Sequence, residues 1–144
     1  MSPIEKRAWL SLWSMCPVYL IYFGLLIAVP DTFASMTPLQ RIGSFAIVAT
    51  LHAVVYLVGF AMFKYQERGQ DLFADERDHA IDARASRAAY FLMLTGLIIV
   101  GVVMPFTDTG WKLVNTALFF IVCSETMRYI LIVLGYRRAP QHAH

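Results

Sequence analysis

Charge is scarce in these 144 residues: 15% are Asp, Glu, Lys or Arg, against about 25% in soluble domains. Twelve basic and ten acidic residues leave a formal net charge of +2. That balance is too small to argue for nucleic acid, and no basic run stands apart from the apolar blocks. Cysteine is nearly absent as well. Cys16 and Cys123 both fall inside apolar segments, share no metal-type spacing and form no secreted disulfide framework. They read as small apolar side chains. The motifs of common enzymes are missing too: there is no G-x-S-x-G, no P-loop, no H-E-x-x-H and no C-x-x-C. Ser11, Ser14 and Ser124 have no identifiable activating partner. The sequence predicts a protein that is not an enzyme and carries no cofactor and no metal.

What is plentiful is apolar sequence. Hydrophobic residues make up 58% of the chain, and the mean hydropathy is +0.57. They gather in four blocks, about 9–29, 42–63, 88–104 and 112–134, each about the length that crosses a hydrocarbon core. The fold class expected is all-α, a single membrane domain built as a four-helix transmembrane bundle. The first block reads as a retained span, because Ser11, Ser14 and Pro17 interrupt it and only Thr32-Phe-Ala34 offers a weak cleavage site. Pro17 removes a backbone donor and is expected to kink this span. Residues 30–41 read as a polar loop. Gly43, Ala46, Ala49 and Ala53 give the second span a face that a neighbouring helix can approach closely. Trp9, Trp13, Tyr90, Trp111 and Tyr136 sit near block ends, as an aromatic belt requires. Four helices in so short a chain make a thin bundle, so a homodimer in the lipid bilayer is expected.

The one dense run of charge, Ala74 to Tyr90, divides the chain into two hydrophobic halves. Asp71, Asp75, Asp78 and Asp82 are spaced four, three and four apart, which makes one acidic stripe on a helix. Arg77, Arg84 and Arg87 lie on other faces. Asp75 and Glu76 suit a helix start, where the dipole favours negative charge. Helix-favouring alanines continue to Ala89 with no breaker and run into the third apolar block, so one continuous helix is expected from about Asp75 to Met104, about 45 Å long. Its first half, the charged helix of about 71–87, is expected to protrude into water. Lys and Arg set the orientation: nine fall with the termini and the central connection, and two, Arg41 and Lys112, fall on the other side. Both termini and the charged helix are therefore expected on the cytoplasmic side of the cell (inner) membrane.

Two ionisable residues lie inside the fourth block, where each costs about 2.5–3.5 kcal/mol to insert. Glu125 and Arg128 are three apart and can pair along one helix face. His52, midway along the second block, could meet Glu125 at similar depth, and Asn115 adds polarity to the fourth block. One reading is a protonatable site of Glu125 and His52, tuned by Arg128. The plainer one is a polar pair or triad that fixes helix packing. A haem on His52 is disfavoured, because no second span carries a histidine. Asp75, His79 and Asp82 have the spacing of a metal-binding helix face, but a solvated face or a docking surface explains them as well.

Three stretches carry a family resemblance: Glu5-Lys-Arg-Ala-Trp9, then Asp75-Glu-Arg-Asp78 with Ile81 and Arg87-Ala-Ala-Tyr90, and finally Glu125, Arg128-Tyr129 and Tyr136-Arg-Arg138. Together they resemble a family of small bacterial and archaeal integral membrane proteins, a domain of unknown function with a central DERD signature. The resemblance implies four spans and a plasma-membrane location, and it supplies no activity. His79 departs from the signature. Two functions are then open. One is a non-enzymatic interaction or regulatory module, docking a cytoplasmic protein partner or a second copy through Asp71, Asp75, Glu76, Arg77, Asp78, Asp82 and Arg84. The alternative is a small proton-coupled transporter or channel centred on Glu125 and His52.

Overall fold

Long apolar runs without breakers become long helices, and prolines mark where they begin. The computed structural model describes residues 2–66, 75–108 and 110–138. Helices α1 (Pro3–Ala28), α2 (Pro30–Ser35) and α3 (Pro38–Gln66) each open on a proline. Its fixed φ suits the first helical position, and its missing N–H would be unsatisfied there anyway. The stretch 30–41, expected as a polar loop, is thus mostly helical. At its end Thr37 and Gln40 form a capping box: the Thr37 N–H donates to Gln40 Oε1 at 2.9 Å, and the Gln40 N–H donates to Thr37 Oγ1 at 3.4 Å. Pro17 lies inside α1 without ending it.

Helix α4 (Glu76–Ile98) starts at Asp75, whose carboxylate caps it by accepting from the Glu76 N–H at 2.7 Å. Glu76 and Asp78 add negative charge to its first turn. Beyond Ile98 the backbone widens into a π-helical turn (Ile99–Val103) and then tightens into a 3₁₀ turn (Met104–Phe106). Pro105 explains the change of pitch, since it cannot donate to the preceding turn. The N–H groups of Thr107 and Asp108 both close onto the Met104 carbonyl. Gly110, at φ +60°, supplies the left-handed conformation that turns the chain into α5 (Trp111–Arg138). Lys112 sits in the first turn of α5, where the dipole disfavours a cation, and Asp108 offsets it with an ion pair at 2.7 Å. That bond holds the Asp108 carboxyl below the usual carboxylate range.

The chain divides into two compact units, one of Met1–Trp9 with Leu72–His144 and the other of Leu10–Asp71. In the first, α4 and α5 run antiparallel, so that early residues of α4 meet late residues of α5. Two glycines let them come close. A Cβ on Gly96 would strike the Phe120 ring, and one on Gly135 would lie 2.7 Å from Ile81 Cγ2. In the second unit Tyr19 meets His52 edge-on at 5.6 Å, and Tyr22 meets Phe33 at 6.3 Å. No residue of α3 is buried. Gly43, expected to admit a neighbouring helix, has open space around it.

Among the described residues few large apolar side chains are buried, Met15, Tyr19, Tyr22, Ile132 and Val133, and they share the interior with small ones such as Ala8, Ala85, Ser14 and Ser124. Trp13, Ile27, Ile47 and Phe106 are among the large apolar side chains left outside. Lipid tails are as apolar as leucine, so such a surface costs nothing in a bilayer, and close helix packing falls to small residues. The buried hydroxyls are satisfied within their own helices. Ser14 donates to the Ser11 carbonyl at 3.1 Å and Ser124 to the Ile121 carbonyl at 3.0 Å. Four helices, Pro3–Ala28, Pro38–Gln66, Glu76–Phe106 and Trp111–Arg137, are long and apolar enough to cross a membrane.

The close α4–α5 approach makes Gly96→Leu destabilising by about 1–3 kcal/mol, the usual cost of overpacking. Gly43→Leu, in open space, is expected to leave stability unchanged. Reversible unfolding of both variants in mixed micelles measures the difference.

Candidate functional site

The charged end of the first unit is held by hydrogen bonds that reach across the sequence. Asp78 is 7% exposed and projects from the first turn of α4 toward α5. Its Oδ1 accepts from the Tyr136 hydroxyl and its Oδ2 from the Ser2 hydroxyl, both at 2.5 Å. The two hydroxyl oxygens lie 3.1 Å apart. Each carries one proton, so with both directed at Asp78 the third edge of this triangle needs none. Ser2 also opens α1: its carbonyl accepts from the Lys6 N–H and its Oγ from the Ile4 N–H. The carboxylate thereby sits near a helix N-terminus, where the dipole favours negative charge.

One turn further along α4, Asp82 accepts from Arg128 Nη2 at 3.0 Å. Their side chains are 34% and 33% exposed. Solvent therefore screens the pair, and its worth falls below the about 3–5 kcal/mol lost on breaking a buried one. Ile81, between Asp78 and Asp82 in sequence, packs against Gly135 of α5. The Arg137 guanidinium stacks over Trp9 at 5.6 Å. Charge-bearing residues of α4 are thus fastened to the last turns of α5 and to the start of α1.

Other residues singled out from the sequence fall elsewhere. Arg128 bonds to Asp82, and Glu125 acts on it only through its charge at longer range. Asn115 is buried but lies ten residues from Glu125, about 15 Å along the helix, so the two do not share a cluster. His52 belongs to the other unit, where it packs on Tyr19. On the acidic stripe, Asp78 and Asp82 are spent on bonds within the chain, and Asp71 lies outside the described residues. Asp75, Glu76, Arg77, His79, Arg84 and Arg87 are exposed. Among the described residues, no three His, Cys, Asp or Glu side chains converge as metal ligands. Sequence reading passed over Ser2 and took Tyr136 as an interface anchor. The one available signal was Ser-Pro, a strong helix opening that fixes where the Ser2 side chain starts.

The Asp82–Arg128 bond gives a direct expectation. A double-mutant cycle of Asp82→Asn and Arg128→Gln should return a coupling of about 0.5–3 kcal/mol in unfolding measurements. The same cycle with Glu125→Gln in place of Asp82→Asn should return a clearly smaller value.

The geometry is that of a helical membrane protein, and comparison with known proteins agrees. The family described as "predicted membrane protein (DUF2178)" matches residues 12–139. No curated protein and no solved structure matches the chain. With nearly the whole sequence covered and four helices apt to span a bilayer, the chain belongs to this family of membrane proteins of unknown function.

Proposed function

We propose that this protein is a non-enzymatic membrane interaction module whose recognition surface is the charged end of α4, on the cytoplasmic side of the cell membrane. The observation that carries this reading is the double fastening of that end, Asp78 to Tyr136 and Ser2, and Asp82 to Arg128. A free charged helix would lose conformational freedom on meeting a partner, and a helix already fastened loses less. The fastened carboxylates face α5. Glu76, Ala83 and Arg87 lie on the opposite side of α4 and are exposed. They form the face that meets a cytoplasmic protein or a second copy of the chain. The excess of Lys and Arg beside the termini and the central connection supports the orientation.

A photoreactive residue at position 83 tests the proposal in native membranes. It is expected to give an adduct of fixed mass, and charge reversal by Glu76→Arg with Arg87→Glu should abolish it. The Asp82–Arg128 coupling should survive that reversal. No adduct, or one indifferent to the reversal, would overturn the reading.

One observation favours a second reading, a proton-coupled transporter or channel. Because Arg128 turns to Asp82, Glu125 in the middle of a span has no cationic bonding partner among the described residues, and intramembrane carboxylates often serve transport. A membrane-permeant carbodiimide should then modify Glu125, with Glu125→Gln as the control. A carboxyl that resists labelling at every tolerated pH would remove this alternative.

A further inference from the structure

A groove of about 620 Å³ runs along the flank of the α4–α5 pair. That volume falls in the range of small-molecule sites, about 300–1,000 Å³. Its floor is apolar, made by Ile81, Ala85, Leu131 and Leu134, and Arg77 and Arg84 line it as well. The two arginines are seven residues apart, so they lie about 10 Å apart along the axis and nearly in line on one side of the helix. Both are exposed. Their long stems allow the two guanidinium groups to converge on one anion. No carboxylate lines the groove. Of the nearby carboxylates, Asp78 and Asp82 are bonded to Tyr136, Ser2 and Arg128, Asp78 feeling Arg77 only through its charge, and Asp75 and Glu76 are exposed at the helix start. Among the described residues, no acidic side chain stands within ion-pair distance of Arg77 or Arg84.

The groove also sits at a particular depth. Its α5 wall, Leu131 to Gly135, is the last part of an apolar span, and Tyr136 and Arg137 follow at once. Arg137 stacks over Trp9, and aromatic and basic residues of this kind mark the level of lipid headgroups. A soluble anion would be matched by the arginines and would leave the apolar floor uncovered. A neutral lipid would be matched by the floor and would leave the arginines unanswered. An anionic amphiphile satisfies both.

We infer that this groove is a binding site for an anionic phospholipid of the surrounding leaflet. Its phosphate lies between Arg77 and Arg84, and an acyl chain lies along Ile81, Ala85, Leu131 and Leu134. The inference goes beyond the proposed recognition role and stands without it, because it rests on the lining of the groove by Arg77, Arg84 and apolar residues of α4 and α5 and not on any protein partner. It makes the protein responsive to the charge of its own bilayer.

The test uses the full-length protein in a neutral detergent, titrated with phosphatidylglycerol, with phosphatidylcholine of equal chain length, and with inorganic phosphate. Native mass spectrometry counts the bound molecules. Phosphatidylglycerol is expected to bind at one saturable site and phosphatidylcholine to bind far more weakly. Replacing Arg77 and Arg84 by Gln should weaken phosphatidylglycerol by about 5-fold each and about 30-fold together. Leu131→Trp, which fills the groove with both arginines kept, should weaken it too. Lys112→Gln, at the opposite end of α5 and paired with Asp108, should not. Millimolar inorganic phosphate should fail to displace the lipid. Equal binding of the two lipids, full displacement by phosphate, or indifference to the arginine and Leu131 variants would each overturn the inference.

Discussion

Carboxylates at the end of an apolar helix pair can pack inward only if donors meet them. In this protein the donors come from far away in sequence: Tyr136 and Ser2 for Asp78, and Arg128 for Asp82. These bonds set the register of α4 against α5 where apolar packing alone would discriminate poorly, because apolar side chains slide past one another at little cost in lipid. With Asp78 and Asp82 fixed, Ile81 is placed against Gly135, and further along the pair Gly96 is placed against Phe120. The polar bonds choose the register and the glycines let the helices close on it. Neither works alone.

The same division of labour shapes the rest of the unit. Inward-facing carboxylates leave the remaining charge of α4 pointing outward, and antiparallel packing brings Arg77 and Arg84 beside the last apolar turn of α5. The lipid groove is thus a by-product of the register. The turn between α4 and α5 is short because Pro105 and Gly110 reverse the chain within a few residues. Asp108 and Lys112 then stabilise the first turn of α5 from outside.

Much of this architecture was legible in the sequence. Four helices follow from four apolar blocks of membrane-crossing length, and the start of α4 follows from Asp75 and Glu76. The stripe of Asp78 and Asp82 was legible as a shared helix face. Its destination was not, because spacing reports which residues share a face and says nothing of what lies opposite. Arg128 shows the point most clearly. Its nearest candidate was Glu125, one turn away on the same helix, and its actual partner is 46 residues distant. Hydropathy marks what lipid covers, whereas backbone hydrogen bonds continue past it. So α1 begins at Pro3, ahead of the first apolar block, and residues 30–35 form a helix where a polar loop was expected.

Four spans in a bilayer do not by themselves require that residues 79–87 be structured on α5. The two polar fastenings do, and hydrogen–deuterium exchange in lipid nanodiscs asks the question directly. The amides of 79–87 are expected to exchange slowly, within about tenfold of those of 90–98. Exchange at the rate of a free, fraying helix in water would mean that the charged end stands apart from α5. That result would contradict the fastening on which the register, the groove and the recognition face all depend.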